Sequence, residues 1–276
     1  MRVAVVGHVE WVQFARVEHV PKPGEITSAS EVWEEPAGGG AVAAVQLANL
    51  NGSVDFFTSL GDDELAQRSR ERLTELGVTV HAGEAGQPQR RAFTFVDENG
   101  ERTITVLGPK LRPSGNDGSL PWEELSQCDA VYFTGGDVAA VHAARRAKVF
   151  VATSRELETL HRAGVELDAL IGSGDDAGER FDAIDLEPPP RVIVSTAGPL
   201  GGWIRPGGPF RAAPIPGPVE DAYGCGDCFA AGFTSGLGAG MPVEEAAALA
   251  ARCGATVLTS RGPYERQLTA ADVAAG

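Results

Sequence analysis

The sequence Asp221-Ala222-Tyr223-Gly224-Cys225-Gly226-Asp227-Cys228-Phe229-Ala230-Ala231-Gly232 joins a glycine turn to an Ala/Gly/Phe-rich helical segment. Glycines 224 and 226 would leave consecutive backbone N–H groups at a helix start, where the helix dipole adds positive charge. Such a turn can bind an anion without a lysine. Asp227 follows in the first turn, where it either caps the helix or accepts the proton of an attacking hydroxyl.

Two further glycine turns flank regular elements. Val192 to Gly202 reads as a strand that runs into Thr196-Ala197-Gly198-Pro199-Leu200-Gly201, and Gly38-Gly39-Gly40 precedes a helical segment. Glycine makes up 35 of the 276 residues, nearly twice the average share of about 7%. Because these glycines cluster without a three-residue period, they indicate functional loops rather than collagen or a linker.

Short apolar runs alternate with Ala/Leu-rich segments of helical spacing along the chain. This alternation predicts an α/β fold whose mostly parallel sheet is covered by helices on both faces. The predicted strands are Val3 to Val6, Val54 to Thr58, Ala130 to Phe133, Val149 to Thr153, Leu167 to Ile171 and Arg191 to Val194. The predicted helices are Val42 to Leu50, Glu64 to Leu76, Ala139 to Ala147, Glu156 to Ala163, Asp227 to Leu237 and Val243 to Leu258.

Two segments interrupt the alternation with β-branched and aromatic residues. Residues 91–106 predict a hairpin, since Asn99-Gly100 supplies the positive φ angles of a tight turn. Together with residues 13–36 they would form a small β-lid over the carboxyl ends of the parallel strands, although an edge hairpin without function fits equally well. The α/β core then comprises residues 1–12, 37–90 and 107–276. Exposed apolar lid residues such as Trp33 and Phe93 would allow a homodimer through the lid.

Charge and composition exclude several classes of partner. The 38 acidic and 23 basic side chains give a net charge of −15, which would repel nucleic acid and anionic membranes. No apolar run is long enough to span a bilayer, and Glu10 comes too early for a secretory signal. Four cysteines are too few for a disulfide scaffold. We therefore expect a cytoplasmic protein that holds any nucleotide in a local pocket.

The three glycine motifs together resemble the PfkB/ribokinase family of carbohydrate kinases. Residues 221–227 are similar to its Asp-Thr-x-Gly-Ala-Gly-Asp signature, Thr196-x-Gly198-x-x-Gly201 to its nucleotide-binding motif, and Gly38-Gly39-Gly40-Ala41 to its sugar-side motif. The order and spacing agree from Val3 to about Pro263. The resemblance implies a ribokinase-like three-layer α/β/α domain with a small β-sheet lid, which binds ATP with Mg²⁺ and a small sugar or sugar-like alcohol. Activation by K⁺ stays open.

The resemblance also implies roles for single residues. Asp227 would be the general base, with Gly224, Cys225 and Gly226 beside it and the backbone amides of 222–227 as the anion hole. The nucleotide would be bound by Thr196, Gly198, Gly201, Ala222 and Gly254. A thiol among phosphate-binding amides would have a lowered pKa, so we expect Cys225 to be alkylated readily and protected by ATP.

The chain departs from the family on the acceptor side. Val42 takes the place of an Asn that binds sugar hydroxyls, and Gly7-His8-Val9-Glu10 lacks the usual Asp. The acceptor would instead contact some of His8, Glu10, Gly39, Gly40 and Arg91. Because the two positions that usually report the acceptor both differ, its identity stays open.

The magnesium motif departs as well. Where the family has Asn-x-x-Glu, this chain has Ser173-Gly174-Asp175-Asp176, so Asp176, or Asp175 as its rival, would bind magnesium through water. The departures leave two interpretations. Either the protein phosphorylates an unusual alcohol, or it is a weak or inactive kinase homologue that serves as a sugar- or nucleotide-binding sensor. Retention of Asp227 and both glycines favours the enzyme.

Overall fold

The computed structural model describes residues 1–180 and 186–275, and these form a large central sheet, a small second sheet and flanking helices. The described strands are β1 (Val3–Val6), β2 (Glu10–Arg16), β3 (Glu31–Ala37), β4 (Val54–Leu60), β5 (Val78–Glu84), β6 (Arg91–Val96), β7 (Arg102–Leu107), β8 (Ala130–Phe133), β9 (Val149–Thr153), β10 (Ala169–Ser173), β11 (Val192–Thr196), β12 (Gly202–Arg205) and β13 (Pro209–Phe210). The described α-helices are α1 (Gly39–Asn51), α2 (Glu64–Glu75), α3 (Val138–Ala144), α4 (Leu157–Ala163), α5 (Cys225–Gly238), α6 (Val243–Val257) and α7 (Ala270–Ala275). Every strand and helix predicted above is present.

The central sheet has the order β13-β12-β11-β10-β9-β8-β1-β4-β5 over the described residues. From β11 to β5 each neighbouring pair is parallel, while β12 and β13 are added antiparallel at one edge. The carboxyl ends of the parallel strands consequently lie along one edge of the sheet, where open α/β folds bind their ligands.

Side chains of alternate residues on the central strands enter two different cores, because successive residues of a strand point to opposite faces. In β1, Val3 and Val5 pack with residues of α1, α2, α5 and α6, whereas Ala4 and Val6 pack with residues of α3 and α4. Both faces of the sheet are thus covered. The predicted three-layer α/β/α architecture is confirmed.

The four-stranded second sheet of the described chain, called the lid sheet below, has the order β3-β2-β6-β7. Strands β6 and β7 form the hairpin predicted for residues 91–106, with Gly100 at φ +77° in its turn. Strand β2 pairs antiparallel with β3 and parallel with β6. The lid sheet begins at Glu10, three residues before the boundary predicted at 13.

The lid sheet packs directly on the segment that precedes α5. The Ala222 N–H donates to the Gly100 carbonyl at 2.8 Å, and Arg16 Nη1 donates to the Glu220 carbonyl at 3.1 Å. The Phe14 ring lies edge-on to Tyr223, with centroids 5.0 Å apart. The lid therefore lies in contact with the loop that carries the predicted signature.

The apolar surface of the lid sheet differs from the prediction. Trp33 stacks on Phe14 at 4.9 Å and is half-buried, and Phe93 is also half-buried against Phe95. The exposed apolar side chains lie instead on the edge strands β3 and β7, as Val32, Ile104, Val106 and Leu107. Strand alternation turns Trp33 inward and Val32 outward. No helix among the described residues is long and apolar enough to cross a membrane.

Candidate active site

The signature, residues 221–227, leads into helix α5 through Gly224, which caps the helix. This residue has φ +83°, a left-handed conformation that glycine adopts without strain, and the Cys228 N–H closes the first helical hydrogen bond to its carbonyl. The first four N–H groups of a helix have no partner within the helix. The amides of residues 224–227 are therefore available to an anion, and the helix dipole favours its charge.

The anion hole is shorter than predicted, because two amides of the signature are already used. The Ala222 N–H is bonded to the lid at Gly100, and the Tyr223 N–H donates to Asp221 Oδ1 at 2.8 Å. Ala222 contributes its carbonyl instead, which accepts a hydrogen bond from Arg102 Nη1 at 3.1 Å. The phosphate-binding role predicted for the Ala222 amide is therefore corrected to a lid contact.

Asp227 lies between the anion hole and the start of α1. A Cβ atom placed on Gly39 would be 2.9 Å from Asp227 Oδ1 and 3.5 Å from Thr134 Oγ1, so these three residues adjoin one another. Burial raises the pKa of Asp227 to about 6, Glu179 and Glu10 add to the increase, and Arg102 and Arg155 oppose it. The carboxyl is ionised at neutral pH yet basic enough to take a proton.

The other acceptor-side residues predicted from sequence lie at the same helix start. A Cβ on Gly38, which has φ +89°, would be 3.2 Å from both Glu10 Cγ and His8 Nε2, and a Cβ on Gly40 would be 2.6 Å from the His8 carbonyl oxygen. The glycine motif thus lets α1 begin against the chain at His8. The structure brings His8, Glu10, Gly39 and Gly40 together beside Asp227.

Arg91 does not join this group. The Arg91 side chain is exposed. Arg91 is the register partner of Trp11 in the pairing of β6 with β2, so its side chain lies on the other face of the lid sheet from that of Val12. Arg90, one residue earlier, places Nε 3.1 Å from Glu10 Oε2, with only 12% of its side chain exposed. Ala92, Thr94 and Val96 are the buried residues of β6, so the even-numbered positions of this strand face inward. The acceptor candidate at this position is therefore corrected from Arg91 to Arg90.

Three further charged residues near His8 were missed by the sequence analysis. Lys110 Nζ donates to Glu156 Oε1 at 2.7 Å and to the Thr134 carbonyl at 3.1 Å, and Arg112 also pairs with Glu156. Only 1% of the Glu156 side chain is exposed. Burial, then the charges of Lys110, Arg90 and Arg112, hold the pKa of His8 well below its ordinary value, so its imidazole is neutral. Because Lys110 and Glu156 are 46 residues apart, no local pattern links them.

Val42 is fully buried and packs against the turn at Gly224. A Cβ on Gly224 would be 2.9 Å from Val42 Cγ1. The substitution noted in the sequence therefore supports the anion hole from below and does not line the acceptor side.

The predicted nucleotide residues lie at the end of β11, in the turn after it and on α6. Thr196 ends β11, and Gly198 and Gly201 form the next turn, in which Gly201 donates to the Gly198 carbonyl at 3.1 Å. A Cβ on Gly254 would be 3.1 Å from the Cys225 carbonyl oxygen, so α6 packs closely on the start of α5 at this point. Of the predicted nucleotide residues, Gly254 contacts the start of α5.

Of Asp176 and Glu179, it is Glu179 whose charge raises the pKa of Asp227. Both carboxylates pair with Arg155, but Asp176 is 44% exposed and Glu179 only 18%. Glu179 Oε2 accepts from the Ser173 N–H at 2.8 Å, which fixes it at the end of β10. The sequence analysis missed Glu179 because it lies three residues beyond the expected spacing. No three His, Cys, Asp or Glu side chains in the described ranges are arranged to hold a metal alone.

The lowered pKa predicted for the Cys225 thiol is wrong. Burial raises the pKa of its thiol, and this effect exceeds the lowering by Arg102 and by the Gly226 amide. A protonated, half-buried thiol reacts slowly with alkylating reagents. Cys225 therefore serves as a small side chain at the start of α5, and we no longer expect ready alkylation.

The comparisons with known proteins agree with this geometry. The model of the pfkB family of carbohydrate kinases matches residues 1–156 and 142–270. An ATP-dependent ribose-1-phosphate kinase of Halopiger xanaduensis is 30% identical over 100% of this chain and 97% of its own length. The ribokinase of Thermotoga maritima superposes with a TM-score of 0.77 at 21% identity, covering 99% of this chain and 98% of its own. An Arabidopsis thaliana ribokinase complexed with ribose and ATP gives 0.72 at 19% identity, with 99% and 97% covered.

These matches extend over nearly the whole chain and include all three glycine motifs. The chain belongs to the pfkB family of carbohydrate kinases.

Proposed function

We propose that this protein transfers the γ-phosphoryl group of ATP to a hydroxyl of a small sugar or sugar-like alcohol. The observation that carries the proposal is the position of Asp227, which adjoins both the free amides of 224–227 and the acceptor-side glycine Gly39. A base and an anion hole thus meet at one point. The acceptor would lie between the lid sheet (13–36 and 91–106 in the predicted division) and the remaining α/β core, where the lid excludes water.

Asp227 would accept the hydroxyl proton while the acceptor oxygen forms its bond to the γ-phosphorus. The bond from that phosphorus to the bridging oxygen of ADP breaks in line, and ADP leaves with the electron pair. The amides of 224–227 would stabilise the negative charge on the transferred group. Thr196, Gly198, Gly201 and Gly254 border the side on which the nucleotide would bind.

The residues present fit a magnesium ion that arrives with the nucleotide. The charge of Glu179 raises the pKa of Asp227, and a divalent cation held near these carboxylates would offset their repulsion. When bound, the ion neutralises phosphate charge. Glu179 is the better candidate to hold it through water, with Asp176 and Asp175 further out.

Measuring ADP release tests the function. Pentoses, hexoses, ketoses, sugar acids, sugar phosphates and nucleosides would each be offered with ATP and Mg²⁺, with and without K⁺. We expect one class to accelerate ADP release well above the rate without acceptor. Nucleotide binding with no acceleration by any acceptor would favour the sensor interpretation instead.

The pKa of Asp227 predicts the pH dependence of that activity. Since only the ionised carboxylate accepts a proton, kcat/KM should rise about tenfold per pH unit up to about pH 6 and then level off. Nucleotide affinity measured over the same range serves as the control. An acid limb near pH 4, the ordinary range of an aspartate, would contradict the assigned environment of Asp227.

Two matched substitutions separate the magnesium candidates. Glu179→Gln keeps an oxygen for the Ser173 amide but loses the charge, so we expect the Mg²⁺ concentration for half-maximal rate to rise about tenfold or more. Asp176→Asn should change it less than about twofold, because Asp176 is exposed beside Arg155. A larger effect of Asp176→Asn than of Glu179→Gln on the Mg²⁺ concentration for half-maximal rate would assign the magnesium to Asp176 instead.

We also propose a cytoplasmic protein that forms a homodimer through the lid. Cys128, Cys225, Cys228 and Cys253 are all free thiols, which suits a reducing compartment. Exposed Ile104 and Val106 on edge strand β7 support the dimer. We expect the parent protein to sediment as a dimer and the Val106→Glu variant to sediment as a monomer.

A further inference from the structure

Charged residues gather around His8, next to the glycines at the start of α1. This group, called the acceptor cluster below, surrounds the neutral imidazole of His8. Gly135 connects two of its members, since a Cβ there would be 3.5 Å from Lys110 Nζ and 3.7 Å from His8 Nδ1. The acceptor cluster consists of His8, Glu10, Arg90, Lys110, Arg112 and Glu156.

The acceptor cluster has more positive than negative charge. Three cations face two carboxylates, although the chain as a whole has a net charge of −15. Lys110 and Arg112 share one carboxylate, Glu156, so that neither has a counter-charge of its own. The Lys110 side chain is 19% exposed and that of Arg112 is 42% exposed, so the excess charge is partly open to water and to an incoming anion.

Arg90 is the least satisfied member. Its Nε lies 3.1 Å from Glu10 Oε2, yet the two groups are not aligned for a hydrogen bond, and both atoms are buried without a hydrogen-bond partner among the described residues. The Glu10 side chain is 7% exposed and that of Arg90 12%. A guanidinium in this state can donate two parallel hydrogen bonds to a carboxylate or phosphate.

The position of the acceptor cluster relates it to the reaction. Asp227 adjoins Gly39, whereas His8 and Glu10 adjoin Gly38, the neighbouring residue. One small molecule could therefore present a hydroxyl to Asp227 and a second group to the cations near His8.

We infer that the acceptor is an anionic sugar, either a sugar phosphate or a sugar acid, whose charged group is bound by Arg90 and Lys110. The inference rests on the proposed function, because it concerns the same acceptor. A neutral sugar would leave the excess charge of the acceptor cluster without a partner. Both candidates carry an oxyanion, which is tetrahedral in a sugar phosphate and planar in a sugar acid, and matched acceptors distinguish the two.

The test compares neutral and anionic partners of the same carbon skeleton. Ribose is paired with ribose 1-phosphate and ribose 5-phosphate, and glucose with gluconate. ADP release by the parent protein gives kcat/KM, and the shift in melting temperature of Asp227→Asn gives binding without turnover. We expect kcat/KM for one anionic sugar to exceed that for its neutral partner at least about tenfold. Whether this sugar is a phosphate or gluconate then identifies the anionic group that the protein binds.

Arg90→Met should reduce kcat/KM for the anionic partner about tenfold or more, and should reduce kcat/KM for the neutral partner distinctly less, so that the preference for the anionic sugar falls. Lys148→Met, at a side chain 73% exposed, is the matched surface control and should change neither. If Arg90→Met does not fold, Arg90→Lys keeps the charge but loses the planar fork, and an intermediate loss is expected.

The outcomes separate this inference from the proposed function. Equal or better use of neutral sugars, an equal effect of Arg90→Met on both partners, or no melting shift with any anionic sugar would overturn the anionic acceptor while the kinase activity stands. A melting shift with an anionic sugar and no ADP release would overturn the kinase activity while the anion site stands.

Discussion

Replacement of Asp227 by Asn is expected to reduce turnover at least about a hundredfold, since general-base catalysis of this kind contributes about 10²- to 10⁴-fold in rate. Asn has the same shape but cannot take a proton from the acceptor hydroxyl. The amides of residues 224–227 are backbone groups and remain, so ATP affinity should change little. Steady-state ADP release and nucleotide titration measure the two effects separately.

The same substitution is expected to stabilise the fold. The pKa of Asp227 is about 6 in the folded protein and about 3.8 when unfolded, so the folded state holds the proton more tightly. Stability is therefore lost as pH rises through this window, and the full cost, up to about 3 kcal/mol, is present above pH 6. A neutral Asn removes it, so the melting temperature at pH 8 should rise. Asp272→Asn, at the exposed start of α7, is the matched control and should affect neither turnover nor this pH dependence.

Comparable turnover of Asp227→Asn and the parent would exclude Asp227 as the base. A loss of turnover together with a large loss of ATP affinity would also count against the assignment, because it would show that the carboxylate organises the anion hole. A rise in melting temperature with a loss of turnover would identify a buried charge retained for chemistry.

The second large effect is expected from Gly39→Ala. The new Cβ would lie 2.9 Å from Asp227 Oδ1, closer than a stable contact allows, so the carboxylate must rotate away. A displacement of about an ångström at a catalytic group can reduce turnover about a hundredfold. Because the atom displaced is the end of a side chain, the fold should tolerate the change. We expect kcat/KM to fall at least about tenfold with a nearly unchanged melting temperature.

The adjacent glycine provides the matched comparison. In Gly40→Ala the new Cβ would lie 2.6 Å from the carbonyl oxygen of His8 and 2.8 Å from its nitrogen, which are backbone atoms that cannot rotate away. This variant should lose stability as well as activity, whereas Gly118→Ala, where the Cβ meets open space, should lose neither. If Gly39→Ala kept full activity, Asp227 would not face the acceptor side as the geometry indicates.

Local patterns in the sequence predicted the elements of the fold. Alternating apolar runs gave the positions of strands and helices because side-chain periodicity depends on short-range backbone geometry. The Asn99-Gly100 turn gave the hairpin for the same reason, since glycine tolerates the positive φ that the turn requires. The glycine motifs likewise predicted where Asp227 and the turn before α5 would lie.

Residues that meet only after folding were predicted less well. The acceptor candidate was placed at Arg91, one residue after the Arg90 that contacts Glu10, and the magnesium candidate at Asp176, three residues before the Glu179 that accepts from the Ser173 amide. Each error is a shift of one or three residues. Such shifts cannot be resolved by a motif alone, because the face of a strand and the course of a loop depend on what packs against them.

The sequence by itself determined the α/β architecture, the lid hairpin and the glycine turn before α5, since backbone conformation there follows from nearby residues. Only the tertiary structure decided how the charged and polar groups of the site are paired and which of them are protonated. It joined Lys110 to Glu156 across 46 residues, it set the Ala222 amide against the lid, and it raised the pKa of Asp227 and of Cys225 by burial. Burial and long-range pairing depend on how the layers pack, and packing is a property of the whole chain.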